Sequence, residues 1–215
     1  MLEIHGVNIS PFVRKIRVAL AEKGIEYELV PVNPFAPTPE FLALTPLGKI
    51  PVLRDDTVTL PDSSCIVAYL ERRVPEPALY PADLAQFGRA LFYEEYADTR
   101  IYETLAPVFV QRVLVPLLMK GTPDEDKIQR CLTAAPAVFD YLEGEIGDRT
   151  WLVGERFSVA DVSVASPFLN WGYAGERVDA ERWPKLVAYL ERVHSRPSFR
   201  PLIEEEQAAF GLPRA

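Results

Sequence analysis

The chain has 215 residues, 48% hydrophobic and 25% charged, a composition ordinary for a soluble globular protein with one large core or two small ones. Its 31 acidic and 23 basic residues leave a formal charge of −8, which opposes binding to nucleic-acid phosphates and to anionic lipid headgroups. With no run of 18 or more apolar residues and no apolar leader at its start, the chain is expected to be cytoplasmic, with neither nucleic acid nor membrane among its partners.

The first third alternates strand and helix. Residues 2–7 read as a short strand, and 10–23 as a helix with Ser10 as N-cap, Pro11 at the first helical position and Gly24 as the stop. Within it, Arg14, Lys15 and Arg17 are expected on a solvated face. Residues 25–32 form a second strand, completing a right-handed parallel unit. Three prolines in 33–39 exclude long regular structure there, and a helical turn follows from Thr38-Pro39-Glu40. Residues 51–54 and 57–60 flank Asp55-Asp56, a hairpin turn. A helix over 62–73 closes the unit.

Pro75, Pro77 and Pro81 mark a linker. The domains are placed at 1–76 and 84–215, joined by 77–83. Beyond the linker the pattern is helical, over about 83–119, 123–146, 158–173, 183–195 and 198–209. Pro107 and Pro116 are expected to kink or divide the first of these. Phe157-Ser158-Val159-Ala160-Asp161-Val162 reads as a helix start with a capping box and a hydrophobic staple, a structural device. The two cysteines, Cys65 and Cys131, make no disulfide framework, and with two histidines they make no zinc set, so no metal is expected. Each cysteine is expected to be a small buried hydrophobe. Asn8-Ile9-Ser10 matches a glycosylation sequon that is expected to stay unmodified.

Chemistry concentrates in Lys49-Ile50-Pro51-Val52 and Asp62-Ser63. A proline opening a β-branched strand belongs at a strand start or sheet edge, which leaves neighbouring backbone groups free to pair with something else. A few residues on, the orphan N–H groups of a new helix want a carboxylate, and Asp62 wants an ammonium. A ligand with an extended amide backbone, an amino-acid head and a second carboxylate satisfies all of these. Glutathione is such a ligand.

Ser10-Pro11-Phe12 before the first helix, Lys49-Ile50-Pro51-Val52 with Asp62-Ser63, and the capping segment from Phe157 to Asp161 stand in an order and spacing that resembles the cytosolic glutathione transferase superfamily over essentially the whole chain. The resemblance implies an α/β, thioredoxin-like N-terminal domain (βαβ-ββα) with a cis bond at Pro51, an all-α C-terminal domain, glutathione as co-substrate and a homodimer. It implies that the Ile50 backbone pairs with the cysteinyl part of glutathione. Asp62 and Ser63 grip the γ-glutamyl ammonium and carboxylate, at positions where the family usually has Glu-Ser. Lys49 meets the glycyl carboxylate.

In this family the chemistry depends on a thiolate, and Ser10 is the candidate catalytic hydroxyl. A plain N-cap serine looks the same, and the two roles compete for one hydroxyl. Cysteine at this position would resemble the omega or beta classes, and a tyrosine nearer the first strand the alpha, mu and pi classes. Ser-Pro-Phe resembles serine-type classes such as plant tau, a pattern shared by many bacterial members. Asn8 is a second candidate donor to the sulfur. The electrophile pocket is expected between domains, lined by Phe12, Thr104, Leu105 and Val108, with Trp171 and Tyr173 on the far wall or in the domain core. Asp98 resembles an acidic residue that some members extend toward the glutamyl ammonium of the neighbouring subunit.

The leading expectation is therefore conjugation of glutathione to a small, largely apolar electrophile. Isomerisation, dehalogenation and peroxide reduction start from the same thiolate. A non-catalytic interaction module would need none of Ser10, Lys49, Asp62 and Ser63 together. Thiol-disulfide exchange through Cys65 is disfavoured by its expected burial away from the helix cap.

Overall fold

The computed structural model describes residues 1–212. Contacts divide the chain into one compact unit over Met1–Tyr80 and a second that begins at Pro81.

In the first unit the order is β1 (Glu3–Gly6), α1 (Pro11–Glu22), β2 (Glu28–Pro31), α2 (Pro39–Leu42), β3 (Val52–Arg54), β4 (Thr59–Leu60) and α3 (Ser63–Arg73). The strands lie in the order β2-β1-β3-β4. β1 runs parallel to β2 and antiparallel to β3, which is antiparallel to β4, giving the expected thioredoxin-like arrangement.

Two strands are shorter than their β-branched runs suggest because other elements take their amides. Ile25 N–H bonds the Leu20 carbonyl at 2.9 Å in the turn that ends α1, where Gly24 has φ +63°. In the hairpin, Thr57 and Val58 N–H donate to the Asp55 carboxylate at 2.8 and 3.0 Å, so β4 starts only at Thr59. The Tyr69 hydroxyl, 2.6 Å away on α3, together with these donors holds the Asp55 carboxyl well below the usual carboxylate range. One aspartate thus ties the hairpin to the closing helix.

α1 departs from expectation. Every residue from Val13 to Leu20 is buried, so Arg14, Lys15 and Arg17 do not form a solvated face. Arg17 Nε donates to the Tyr27 hydroxyl at 2.6 Å, and Lys15 Nζ reaches the hydroxyls of Ser63 and Ser64. Gly6 makes room for this helix, since a Cβ there would meet Val13 Cγ2 at 2.5 Å.

The proline-rich stretch after α3 is held to the first unit. Lys23, buried and paired with Glu71 at 2.7 Å, donates to the carbonyls of Val74 and Pro77. Glu71 in turn accepts the N–H groups of Leu79 and Tyr80. Residues 77–80, expected in the linker, therefore belong with the first unit by their bonds.

The second unit opens with one continuous helix, Leu84–Met119, made of α4 (Leu84–Tyr96), a π-helical segment (Ala97–Ile101), α5 (Tyr102–Phe109) and a second π-helical segment (Val110–Met119). It is long and apolar enough by composition to cross a bilayer, although no single run in it is uninterruptedly apolar. Its apolar residues instead serve a core: Ile101, Leu105, Val108 and Phe109 are buried, and α5 packs on α6 (Glu125–Ile146) and α7 (Val159–Tyr173). The prolines do not divide it. Pro116 lies inside the second π segment, where the widened hydrogen-bond ladder accommodates its missing N–H, and Pro107 lies just before that segment. In the first π segment the Thr99 hydroxyl takes the Glu95 carbonyl at 2.6 Å, competing with the backbone ladder.

Two further helices follow, α8 (Pro184–His194) and α9 (Arg200–Phe210). Phe139 sits against Phe168, Trp171 and Trp183 with ring centroids 5.1–5.7 Å apart. At the start of α7 the capping box is present, and Asp161 does more than cap. Buried completely, it accepts from Leu152 N–H, Ser158 N–H and the Tyr189 hydroxyl at 2.9–3.0 Å and from the Ser158 hydroxyl at 3.2 Å.

Candidate active site

Strand register brings the sequence-predicted residues to one end of the sheet. His5, one residue before the end of β1, pairs with Val52, the first residue of β3, and Leu53 pairs with Leu60, the last of β4. The exit of β1, the entry of β3 and the exit of β4 are therefore neighbours. Ser10 follows the first, Ile50-Pro51 precedes the second, and Asp62-Ser63 follows the third. α1 and α3 begin at this same end, and neither has an acidic side chain in its first turn to neutralise the positive end of its dipole.

Ser10 is the N-cap of α1, with φ −72° and ψ 127°, and its backbone N–H bonds the Val7 carbonyl at 3.1 Å. Its hydroxyl accepts the Val13 N–H at 3.5 Å, the outer limit of a hydrogen bond. Accepting leaves the O–H proton unused, and among the described residues it donates to nothing. The expected competition is thus relieved: the cap uses a lone pair, and a thiolate would use the proton.

Gly48 has φ +60°, a conformation that favours glycine, and it turns the chain into Lys49 and Ile50. Lys49 is exposed, Ile50 is half-buried and stands outside the ladder, and the Ile50–Pro51 bond is cis. Asp62 is exposed as N-cap of α3, its Oδ1 accepting the Cys65 N–H at 2.9 Å, which leaves Oδ2 for an ammonium. Ser63 is buried behind it.

The sequence model of the glutathione S-transferase N-terminal domain matches residues 4–78, and that of its C-terminal domain matches residues 105–197. A crystal structure of a glutathione S-transferase from Rhodospirillum rubrum F11 superimposes with a TM-score of 0.90 at 31% identity, covering 100% of this chain and 97% of that one. The chain belongs to the glutathione S-transferase family. It is also 30% identical to a zeta class glutathione S-transferase of Euphorbia esula, over 100% of this chain and 95% of the relative. To the maleylacetoacetate isomerase of Pseudomonas aeruginosa it is 31% identical, over 86% of this chain and 88% of the relative.

Outside the sheet end, the transferase-like residues are distributed less favourably. Leu105 and Val108 are fully buried in α5, and the Thr104 side chain donates back to the Arg100 carbonyl at 2.8 Å. All three are buried where α5 packs against α6 and α7. Trp171 and Tyr173 are core as well; Trp171 lies edge-on to Phe139, and the Tyr173 hydroxyl donates to buried Glu206 at 2.9 Å. Phe12 and Asn8 are half-buried near Ser10, and Asp98 is half-buried in the first π segment.

Cys65 corrects a second expectation. It is exposed and stands in the first turn of α3, its N–H on the Asp62 cap, rather than buried and away from it. Apolar Ile66 and Val67 take the inward face of this helix, and Cys65 the outward one. Cys131 is half-buried, and burial pushes its thiol up. Lys15 is a residue that sequence reasoning missed at this end of the sheet, because its partners Ser63 and Ser64 are distant in sequence.

Proposed function

We propose that this protein is a cytoplasmic glutathione transferase that binds glutathione at the described end of the sheet, stabilises its thiolate and joins it to a small, largely apolar electrophile. The observation that carries this reading is Ser10: an N-cap hydroxyl at the exit of β1 with an uncommitted proton, beside the Ile50-Pro51 turn. The Ile50 backbone pairs with the cysteinyl residue, which aims the sulfur at Ser10. Lys49 meets the glycyl carboxylate, a solvent-exposed pair contributing about 0.2–1 kcal/mol. Oδ2 of Asp62 takes the γ-glutamyl ammonium, and the first turn of α3 with Ser63 takes its carboxylate. Asn8 is a second donor to the sulfur, and Phe12 flanks the acceptor. No metal is required, since the hydroxyl and the helix terminus supply the stabilisation.

Asp62→Ala is expected to weaken glutathione binding by about tenfold, the loss of one charge-assisted bond, with affinity falling more than turnover at saturating glutathione. Loss of the cap should also cost about 1 kcal/mol of stability. Calorimetric titration checks this; parent-like affinity in the variant would remove the γ-glutamyl assignment.

A second reading is glutathione-dependent isomerisation, favoured by the 31% identity to the Pseudomonas aeruginosa maleylacetoacetate isomerase. Assay against an α-haloketone, a maleyl compound and an organic hydroperoxide separates conjugation, isomerisation and peroxide reduction. No turnover of any acceptor, with glutathione bound, would leave a non-catalytic module.

We further assign the apolar stripe of α4 to a homodimer interface. Leu84, Phe87 and Leu91, which are 84%, 39% and 39% exposed, share one face of the helix, and Phe92, 50% exposed, flanks it. Asp98, further along the same helix, would then reach the partner's glutamyl ammonium. Phe92→Glu is expected to convert a dimer to a monomer in sedimentation, and a monomeric parent at micromolar concentration would overturn the assignment.

A further inference from the structure

The strap that follows α3, residues 74–80, cannot continue a helix or join a ladder, because Pro75 and Pro77 supply no N–H. Of its residues only Leu79 is buried, at 2% exposure. Its backbone groups must therefore find partners outside regular structure or face water. They converge on one ion pair. Lys23 Nζ, just past the end of α1, donates to the carbonyls of Val74 at 2.7 Å and Pro77 at 3.0 Å, and to Glu71 Oε2 at 2.7 Å. Glu71, in the last turn of α3, accepts the N–H of Leu79 at 3.1 Å and of Tyr80 at 3.3 Å.

An ammonium carries three donors, and these three acceptors take all of them. The Lys23 side chain is 0% exposed and that of Glu71 16%. A buried pair is favourable only while its charges and its hydrogen bonds are all satisfied, so these contacts stand or fall together. Removing the Lys23 charge strands the Glu71 carboxylate and takes this donor from the Val74 and Pro77 carbonyls. The helices are held differently, by apolar burial: Ile16, Val18 and Leu20 of α1 and Ile66, Val67 and Leu70 of α3 are all at 0% exposure. Lifting the strap uncovers one apolar side chain, whereas unfolding the unit uncovers every one of these.

We infer that Lys23 and Glu71 form a clasp that holds residues 74–80 closed on the first unit, and that the strap opens as one piece while α1, α3 and the sheet stay folded. The strap leads the chain from α3 to Pro81, where the second unit begins, so this lead-in has two states, clasped and released. The inference does not depend on the glutathione reading, since no ligand group of that reading touches the clasp.

Native-state amide exchange on the full chain, in low denaturant, tests it. In the parent, the Leu79 and Tyr80 amides are expected to be protected, but at least about tenfold less than those of Ile16 and Val18 in α1, and with a shared, weaker denaturant dependence, because a local opening exposes less surface than global unfolding. Lys23→Met, unbranched and neutral, should lower the protection of Leu79 and Tyr80 at least about tenfold, as expected when a buried charge loses its partner. Ile4→Val, a core change in β1 remote from the clasp, should lower the protection of Ile16 and Val18 about threefold and leave Leu79 and Tyr80 as in the parent. Unchanged protection of Leu79 and Tyr80 in Lys23→Met overturns the clasp. A parallel loss at all four amides in Ile4→Val overturns the separate opening, as does a parent in which all four share one protection and one denaturant dependence. Should Lys23→Met fail to fold, Glu71→Gln, which keeps an acceptor but removes the charge, gives the same test: Leu79 and Tyr80 should lose at least about threefold in protection, and parent-like values are the contrary result.

Discussion

Replacing Ser10 by alanine is expected to lower turnover at least about tenfold while leaving glutathione affinity within a few fold. A free thiol with a pKa near 8.5 is only about 3% ionised at pH 7, and lowering that value to about 6.5 ionises roughly three quarters. Those two units correspond to about 2.7 kcal/mol of preference for the anion. In the proposed mechanism the O–H of Ser10 and the positive end of α1 would share that figure, and the alanine variant would keep only the second. In the role proposed for it the hydroxyl would interact with the reacting anion rather than with the whole tripeptide, so the loss should fall on turnover. The cap contact is long, 3.5 Å, so stability should drop by well under the 1 kcal/mol of a strong N-cap. Unchanged turnover with a lower melting temperature would return Ser10 to a purely structural role.

The largest expected effect on stability lies at Asp161. Asp161→Ala strands the N–H groups of Leu152 and Ser158 and the Tyr189 hydroxyl in a buried site, and each unpaired group costs about 1–3 kcal/mol. A total loss of about 3–5 kcal/mol is expected, enough to leave a marginal domain unfolded at physiological temperature. Asp161→Asn should fall between parent and alanine, since its carboxamide oxygen replaces one acceptor and its NH2 confronts donors at the other.

The site also sets a pH dependence. Burial raises the Asp161 carboxyl from its usual range to about 6, against the pull of its four donors. A group raised on folding binds its proton more tightly in the native state, so its contribution is complete below about pH 4 and is lost as pH rises to about 6. Denaturant titrations of the parent should therefore show this loss between pH 4 and 6, and those of Asp161→Asn should lack it. Parallel curves for the two proteins would contradict the assignment.

Much of the sheet end was legible because its signals are local. Ser10-Pro11, Thr38-Pro39 and Asp62-Ser63 announce helix starts through caps, and all three helices begin there. Burial was not legible. Arg14, Lys15 and Arg17 look like a solvated face because charge is the usual mark of one, but partners distant in sequence, Tyr27 and Ser63-Ser64, take them inside. The error at Cys65 runs the other way: a helix in apolar company still has an outward side, and the phase of the helix is set by the buried Ile66, Val67 and Leu70 where α3 packs against α1. Thr104, Leu105 and Val108 have the right spacing for a pocket wall, but the same spacing serves α6 and α7. Nor could composition foretell that Leu84–Met119 stays one helix through two prolines, since the π-helical register that absorbs the second is a property of the whole ladder.

The most direct test follows the ionisation of the bound glutathione sulfur by ultraviolet thiolate absorbance across pH, in the parent and in Ser10→Ala. The parent should hold the thiol near pKa 6.5, about two units below the free tripeptide, and the variant should return it upward by about one unit or more. A bound sulfur that titrates in the parent as it does in free solution would contradict the account.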